Sequence, residues 1–233
     1  RWNPETDSYL PANYSMIDRS GKLLCKQALQ REFQLQESSV PLLAVIARLT
    51  SQKGLDLVAT IIPQLMEMDL QLVMLGTGEP ELEAKFKVFQ ARYPRSMGLR
   101  IGFDEGLAHR IEGGADMFVM PSRYEPCGLS QLYSLRYGTV PVVRKIGGLA
   151  DTVLPLAAWA RQVGQATGFH IEEDTAEALL VALRQAVSVY QDRSMWGQLV
   201  EAGMTTDVSW VRSANAYDRL FVSLVRQGKP SVP

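Results

Sequence analysis

The stretch RYEPCGLSQLYSLRYGTVPVVRKIGGLADTV (residues 123–153) decides how this chain is read. It follows an apolar run, Met117-Phe118-Val119-Met120, that Pro121 and Ser122 stop. So short a run, bounded by turn residues, suits a buried parallel strand better than a helix. One carboxylate, Glu125, stands in the next loop between Tyr124 and Pro126. Gly128 opens a helical segment over 129–137, whose first turn offers free backbone N–H groups and the Ser130 hydroxyl. A second strand over 139–143 leads to Lys145 and a turn at Gly147-Gly148. These pieces fit within one βαβ unit of roughly 30 residues. In doubly wound α/β proteins the ligand lies at the carboxyl ends of the strands. There, a carboxylate beside a helix N-terminus can bind the hydroxyls of a polar ligand while the helix holds its anionic group.

The same alternation runs outward in both directions. Upstream, Leu42 to Ala47 is an apolar strand, followed by the polar loop Arg48-Leu49-Thr50-Ser51-Gln52-Lys53-Gly54 and a helix over 55–68. A strand over 71–75 ends in Gly76-Thr77-Gly78, and the helix over 79–93 begins with Glu79, Pro80 and Glu81, residue types that the first helical turn favours. A strand over 99–103 and a short helix over 105–112, closed by Gly113-Gly114, complete that half. Downstream come a strand over 167–171 and a helix over 175–190 capped by Asp174 or Thr175. A helix over 191–204 and a last one entered at Ser209 follow, the latter carrying Trp210, Ala214, Tyr217, Phe221 and Leu224 at helical spacing. At the start, residues 1–17 lack periodicity and read as a linker-like lead-in, before a helix over 21–33 capped by Asp18 or Ser20. The fold class is α/β, a Rossmann-like parallel sheet with helices on both faces. Residues 18–208 form its body and 209–233 a C-terminal helix.

Composition narrows the partners. Among 233 residues, 24 are basic and 25 acidic, so no electrostatic footprint for nucleic acid is present. No apolar run approaches the roughly 20 residues that cross a bilayer. Cys25 and Cys127 are far apart, show no metal spacing, and read as reduced thiols. No signal peptide pattern is seen, and a chain that begins at Arg1 reads as a fragment or a processed product.

Three segments together resemble bacterial glycogen synthase and plant starch synthase: RLTSQKGLDL from Arg48, HRIEGGAD from His109, and PSRYEPCGLSQLYSLRYGTVPVVRKIGGLADTV from Pro121. The opening WNPETD is similar to the linker region of those enzymes. The resemblance implies the C-terminal half of a two-domain GT-B glycosyltransferase, with the N-terminal domain absent. It further implies a nucleotide sugar donor, ADP-glucose or UDP-glucose, an α-1,4-glucan acceptor, no metal and no other cofactor. The setting it implies is a bacterial cytoplasm or a plastid stroma. Rival readings are a non-catalytic nucleotide- or glucan-binding module of the same fold, or another GT-B enzyme such as an epimerase or a sucrose-type synthase.

Roles for single residues follow from the resemblance. Arg48 and Lys53 are implied to bind the donor's diphosphate, where a planar fork and a point charge can stabilise a leaving group that gains negative charge. Glu125 is implied to hold the sugar hydroxyls. Many retaining relatives carry a second glutamate where this chain has Tyr133, and no opposed nucleophile is evident, so transfer on the front face, assisted by the leaving phosphate, is expected. Gly128, Leu129 and Ser130 should offer N–H groups and a hydroxyl to phosphate oxygens, with Cys127 a wall of the pocket. Gly76 and Gly78 form a lone Gly-x-Gly, a weak signal, expected to let the backbone approach the nucleoside. Phe103 occupies the place of an aromatic against the base, its alternative being a core phenylalanine. Gly147 and Gly148 are expected to allow close ligand approach, with Lys145 nearby, and His109 and His170 to be structural. In the family the last helix packs on the N-terminal domain, so here it should be an exposed patch, a self-association surface or a repacked tail.

Overall fold

The computed structural model describes residues 2–156 and 165–227. Among them six strands form one sheet: β1 (Leu42–Ile46), β2 (Gln71–Gly76), β3 (Met97–Ile101), β4 (Met117–Met120), β5 (Val140–Arg144) and β6 (Phe169–Ile171). The order is β3-β2-β1-β4-β5-β6, and every pair is parallel. The chain builds outward from β1 in one direction, then returns to its other side at β4. That reversal is the topological switch point at which doubly wound sheets open a crevice.

Alternation within the strands sends side chains to two cores. Leu43 and Val45 of β1 join Leu72 and Met74 of β2 on one face, beneath α2 (Leu55–Met66), α3 (Pro80–Arg92) and α7 (Ala176–Gln191). Leu42 and Ala44 join Val73, Leu75 and Phe118 on the other, beneath α1 (Ser20–Glu32) and α4 (Glu105–Gly114). A parallel sheet covered on both faces needs continuous apolar strands, and β2 is buried at all its positions. The remaining α-helices among the described residues are α5 (Ser130–Tyr137), α6 (Gly147–Thr152), α8 (Arg193–Thr205) and α9 (Trp210–Gln227).

Several expectations are corrected. β3 starts and stops two residues before the expected 99–103, because Gly102 turns the chain at φ +138° and leaves Phe103 outside the sheet. Gly113 and Gly114 are the last two residues of α4 and not a turn after it; a side chain on Gly114 would strike the Cys25 carbonyl, 2.8 Å away, so glycine lets α1 lie close. The Gly147-Gly148 turn is the first turn of α6. Thr175, and not Asp174, caps α7 by accepting from the Ala178 N–H.

The lead-in has no regular structure, yet it is built into the domain. Asp7 accepts from Tyr137 Oη and pairs with His109 Nδ1 at 2.6 Å, while Tyr14 Oη donates to the Tyr137 carbonyl at 2.8 Å. The Trp2 ring lies between His109 and Tyr133, with centroid distances of 3.6 and 4.2 Å. Hydrogen bonds from Tyr137, the Tyr9 backbone and His109 outweigh the burial that would raise the Asp7 carboxyl, which therefore sits below its usual range. Polar anchors 102 and 130 positions away in sequence leave no periodic trace, which is why the segment read as a linker.

Candidate functional site

Two adjoining hollows open at the carboxyl edge of the sheet. One, of about 230 Å³, lies over the switch point between β1 and β4 and is bordered by Lys53, Ser122, Glu125, Gly128, Leu129 and Ser130. Its neighbour, of about 240 Å³, lies over β1, β2 and the end of β3, bordered by Arg48, Gly76, Thr77, Gly102 and Phe103. Ile46 and Ala47 wall both. A larger hollow of about 550 Å³, between β6 and α7, has Glu172, Glu173 and Glu177 on its wall and would repel an anion.

The cations are sorted by their partners. Lys53 Nζ sits 2.6 Å from Glu125 Oε2, with the side chains 21% and 12% exposed, and Ser122 Oγ donates to the same oxygen at 3.3 Å. Arg48 is exposed, and among the described residues its guanidinium meets only the Gln52 amide oxygen, at 3.2 Å. It carries the site's uncommitted positive charge. Gly54 ends the Lys53 turn in the left-handed region, and a side chain there would strike the Pro121 carbonyl, 2.1 Å from its Cβ position. The two loops therefore lie back to back.

The loop of Glu125 is held from below. Gln131 is fully buried, and its Nε2 donates to the Cys127 and Gly128 carbonyls at 3.0 and 3.1 Å. Gly128 has φ +75°, and α5 starts two residues later, with the Leu129 side chain exposed. Gly147 and Gly148 approach this same loop and not open space. Their Cβ positions lie 2.3 Å from the Glu125 carbonyl and 2.1 Å from the Cys127 carbonyl, and the Gly148 N–H donates to Glu125 O at 3.2 Å. In the structure these glycines seat the carboxylate's backbone. Gly76 and Gly78 are similar, with Cβ positions 1.9 Å from the Ala47 carbonyl and 2.3 Å from the Leu49 carbonyl. They let β2 close against the loop that bears Arg48, and Gly76 also borders the second hollow.

Phe103 is 91% exposed at the rim of the second hollow, which excludes the core alternative. Cys127 is exposed but lies outside the lining of either hollow. Lys145 is paired with Glu172 at 2.8 Å. His109 is buried against Asp7, and His170 bonds the Val153 carbonyl, so both are structural. The Tyr133 ring lies against Trp2. Among the described residues no group of three or more His, Cys, Asp or Glu side chains is placed to hold a metal. No described helix is long and apolar enough to cross a membrane.

An all-parallel sheet in this order, with cations, a carboxylate and a helix start gathered over its switch point, defines a Rossmann-like α/β domain with its candidate site in the crevice where doubly wound sheets take ligands. The chain belongs to the glycosyl transferases group 1 family, whose model matches residues 26–201. It is 54% identical to a glycogen synthase of an Anaeromyxobacter species over 224 residues, 96% of this chain and 46% of that protein. It is 49% identical to the glycogen synthase of Nitrosospira multiformis over 227 residues, again 46% of the relative. The catalytic domain of starch synthase IV from Arabidopsis thaliana, solved bound to ADP and acarbose, matches with a TM-score of 0.87 at 35% identity over 95% of this chain and 46% of that one. The chain thus spans a little under half the length of these relatives.

Proposed function

We propose that this chain is the donor-binding half of a retaining glucosyltransferase of the glycogen and starch synthase kind. It holds ADP-glucose or UDP-glucose for transfer of glucose to the non-reducing end of an α-1,4-glucan. The observation that carries the reading is the placement of Lys53, Glu125 and the start of α5 around one hollow, with Arg48 and Phe103 around the hollow that adjoins it. The 35%-identical starch synthase structure bound to ADP supports the same ligand class.

In this reading the base lies on Phe103 and the diphosphate crosses the shared wall toward Arg48, Lys53 and the N–H groups of Gly128, Leu129 and Ser130. As the glycosidic bond to the diphosphate breaks, negative charge grows on the leaving oxygen. Two cations placed in advance lower that barrier without reorganising. Glu125 accepts from the sugar hydroxyls and orients the ring. Tyr133, stacked on Trp2, cannot serve as a second carboxylate. The leaving phosphate then takes the acceptor's proton on the face from which it departs, which gives retention. A second domain supplies the rest of the cleft, and the apolar face of α9 is where it packs. The chain alone therefore binds donor and transfers little or no glucose.

Calorimetric titration of ADP-glucose and UDP-glucose into the chain tests this. Saturable binding of at least one is expected, weakened about 10- to 100-fold in Lys53→Ala, the effect of losing a hydrogen-bonded charge. Absence of saturable binding by either sugar nucleotide rejects the reading in favour of a module without donor chemistry.

A further inference from the structure

We infer that Arg123 is a positioning residue of this site, a clamp that holds the loop of Lys53 and the loop of Glu125 at a fixed separation. The inference rests on the nucleotide-binding reading for its consequence and on geometry for its substance. Arg123 Nη1 and Nη2 grip Asp56 in a fork, at 2.7 and 2.9 Å, in the first turn of α2. Its Nε donates to Asp174 Oδ2 at 2.8 Å, on the connection between β6 and α7. Nη1 also donates to the Ser51 carbonyl, and the Arg123 backbone N–H donates to the Gln52 carbonyl at 3.0 Å. One side chain therefore holds acceptors on three residues that lie 51 to 72 positions from it in sequence.

The placement of these anchors matters. Ser51, Gln52 and Asp56 bracket Lys53, so both ends of its turn are tied to Arg123. Glu125 is only two residues from Arg123, a reach of at most about 7 Å. The Lys53–Glu125 contact of 2.6 Å is thus closed through a short loop of covalent bonds and one guanidinium. A planar guanidinium grips Asp56 with two parallel donors and still has donors in fixed directions for Ser51 and Asp174; an ammonium of equal charge lacks that fork. Pairing with two carboxylates distinguishes Arg123 from Arg48. The carboxylates offset the Arg123 charge and hold its guanidinium protonated well beyond the usual range, chiefly through the hydrogen bonds to Asp56. Arg48 has no carboxylate partner among the described residues. Arg48 remains available to an anion, and Arg123 does not.

The test uses the 233-residue chain with ADP and adenosine as probes. Arg123→Lys is expected to weaken ADP binding about tenfold, the scale of one misplaced charged contact, and to leave adenosine binding unchanged. In a Lys53→Met background the same substitution should cost nothing further, because its effect passes through Lys53. Equal ADP affinity in Arg123→Lys and the parent overturns the clamp. So does a fully additive loss in the Lys53→Met background, which would make Arg123 a direct phosphate ligand. If Arg123→Lys fails to fold, Asp174→Asn takes its place, with a loss of about threefold expected and the same dependence on Lys53. If the parent chain binds neither nucleotide, the functional reading fails by itself. Amide exchange then decides the clamp: faster exchange over 51–55 and 122–126 in Arg123→Lys supports it, and unchanged exchange overturns it.

Discussion

Lys53 and Glu125 are each other's nearest charge, and their half-sheltered contact makes the pair contribute to folding as well as to the site. Lys53→Met strands a carboxylate that is 12% exposed, whereas Lys53→Met with Glu125→Gln removes the charge as well. A double-mutant cycle by denaturant unfolding is expected to give a coupling of about 1–2 kcal/mol, with the single change at Lys53 costing more than the double one. A coupling near zero would mean that solvent already screens the pair. A second prediction concerns Glu112, buried beside Ser134, whose Oγ lies 3.0 and 3.2 Å from its carboxylate oxygens. Burial pushes this carboxyl up from 4.5 to about 8. Between those values the folded chain keeps a proton that the unfolded chain has released. Stability therefore falls as pH rises through that window, by at most about 1.4 kcal/mol per pH unit. Lys22, drawn down to about 8 by its own burial, titrates at the upper edge of that window. Glu112→Gln keeps an acceptor for Ser134 and should flatten the slope of unfolding free energy between about pH 5 and 7.5, as denaturant titrations can check. At this scale the resemblance points to Arg48, Lys53, Glu125 and Ser130 as candidates, and each borders one of the two hollows. The roles of Arg123 and Gln131 were hidden, because their meaning lies in partners such as Asp56 and Asp174 that only folding brings near.

Among the elements, the lead-in departs furthest from its sequence reading. Its anchors are buried polar contacts, with Asp7 serving Tyr137, His109 and the Tyr9 N–H at once. Asp7→Ala leaves two buried donors without an acceptor and should cost about 2–4 kcal/mol in thermal or denaturant unfolding, while Asp7→Asn should cost less. Equal, small losses for both would show that the lead-in is not part of the cooperative unit. The strands were legible because a parallel sheet covered on both faces demands unbroken apolar runs such as Leu42 to Ile46. β3 was misplaced because Gly98 and Arg100 interrupt its apolar pattern, and α6 was missed because paired glycines signal turns. Those glycines stand in a helix because the Glu125–Cys127 backbone occupies the space where side chains would be.

For the whole molecule, α9 is the element least bound to the rest. Trp210 is 83% exposed and Phe221 59%, so a broad apolar face is left uncovered among the described residues. Truncation after Thr206 should leave the midpoint of thermal unfolding within about 2 °C of the parent, because few buried contacts are lost. It should also lower the binding of a dye specific for apolar surface. A marked fall in the midpoint would mean that α9 packs on the body of the chain in solution. The strand order was not legible in the apolar pattern, since alternating strands and helices fit many windings; the return at β4 is seen only in the folded sheet.

That return places Ile46 and Ala47 as a partition between the two hollows. A molecule that reaches both sides acts as a chelate. Once one end is seated, the other is offered to its hollow at an effective concentration on the order of millimolar. A free sugar or a free nucleoside has one end only and gains nothing from the second hollow. Under the proposed donor-binding reading, the end of β1 acts as a gauge of ligand length, selection coming from the span between two modest contacts.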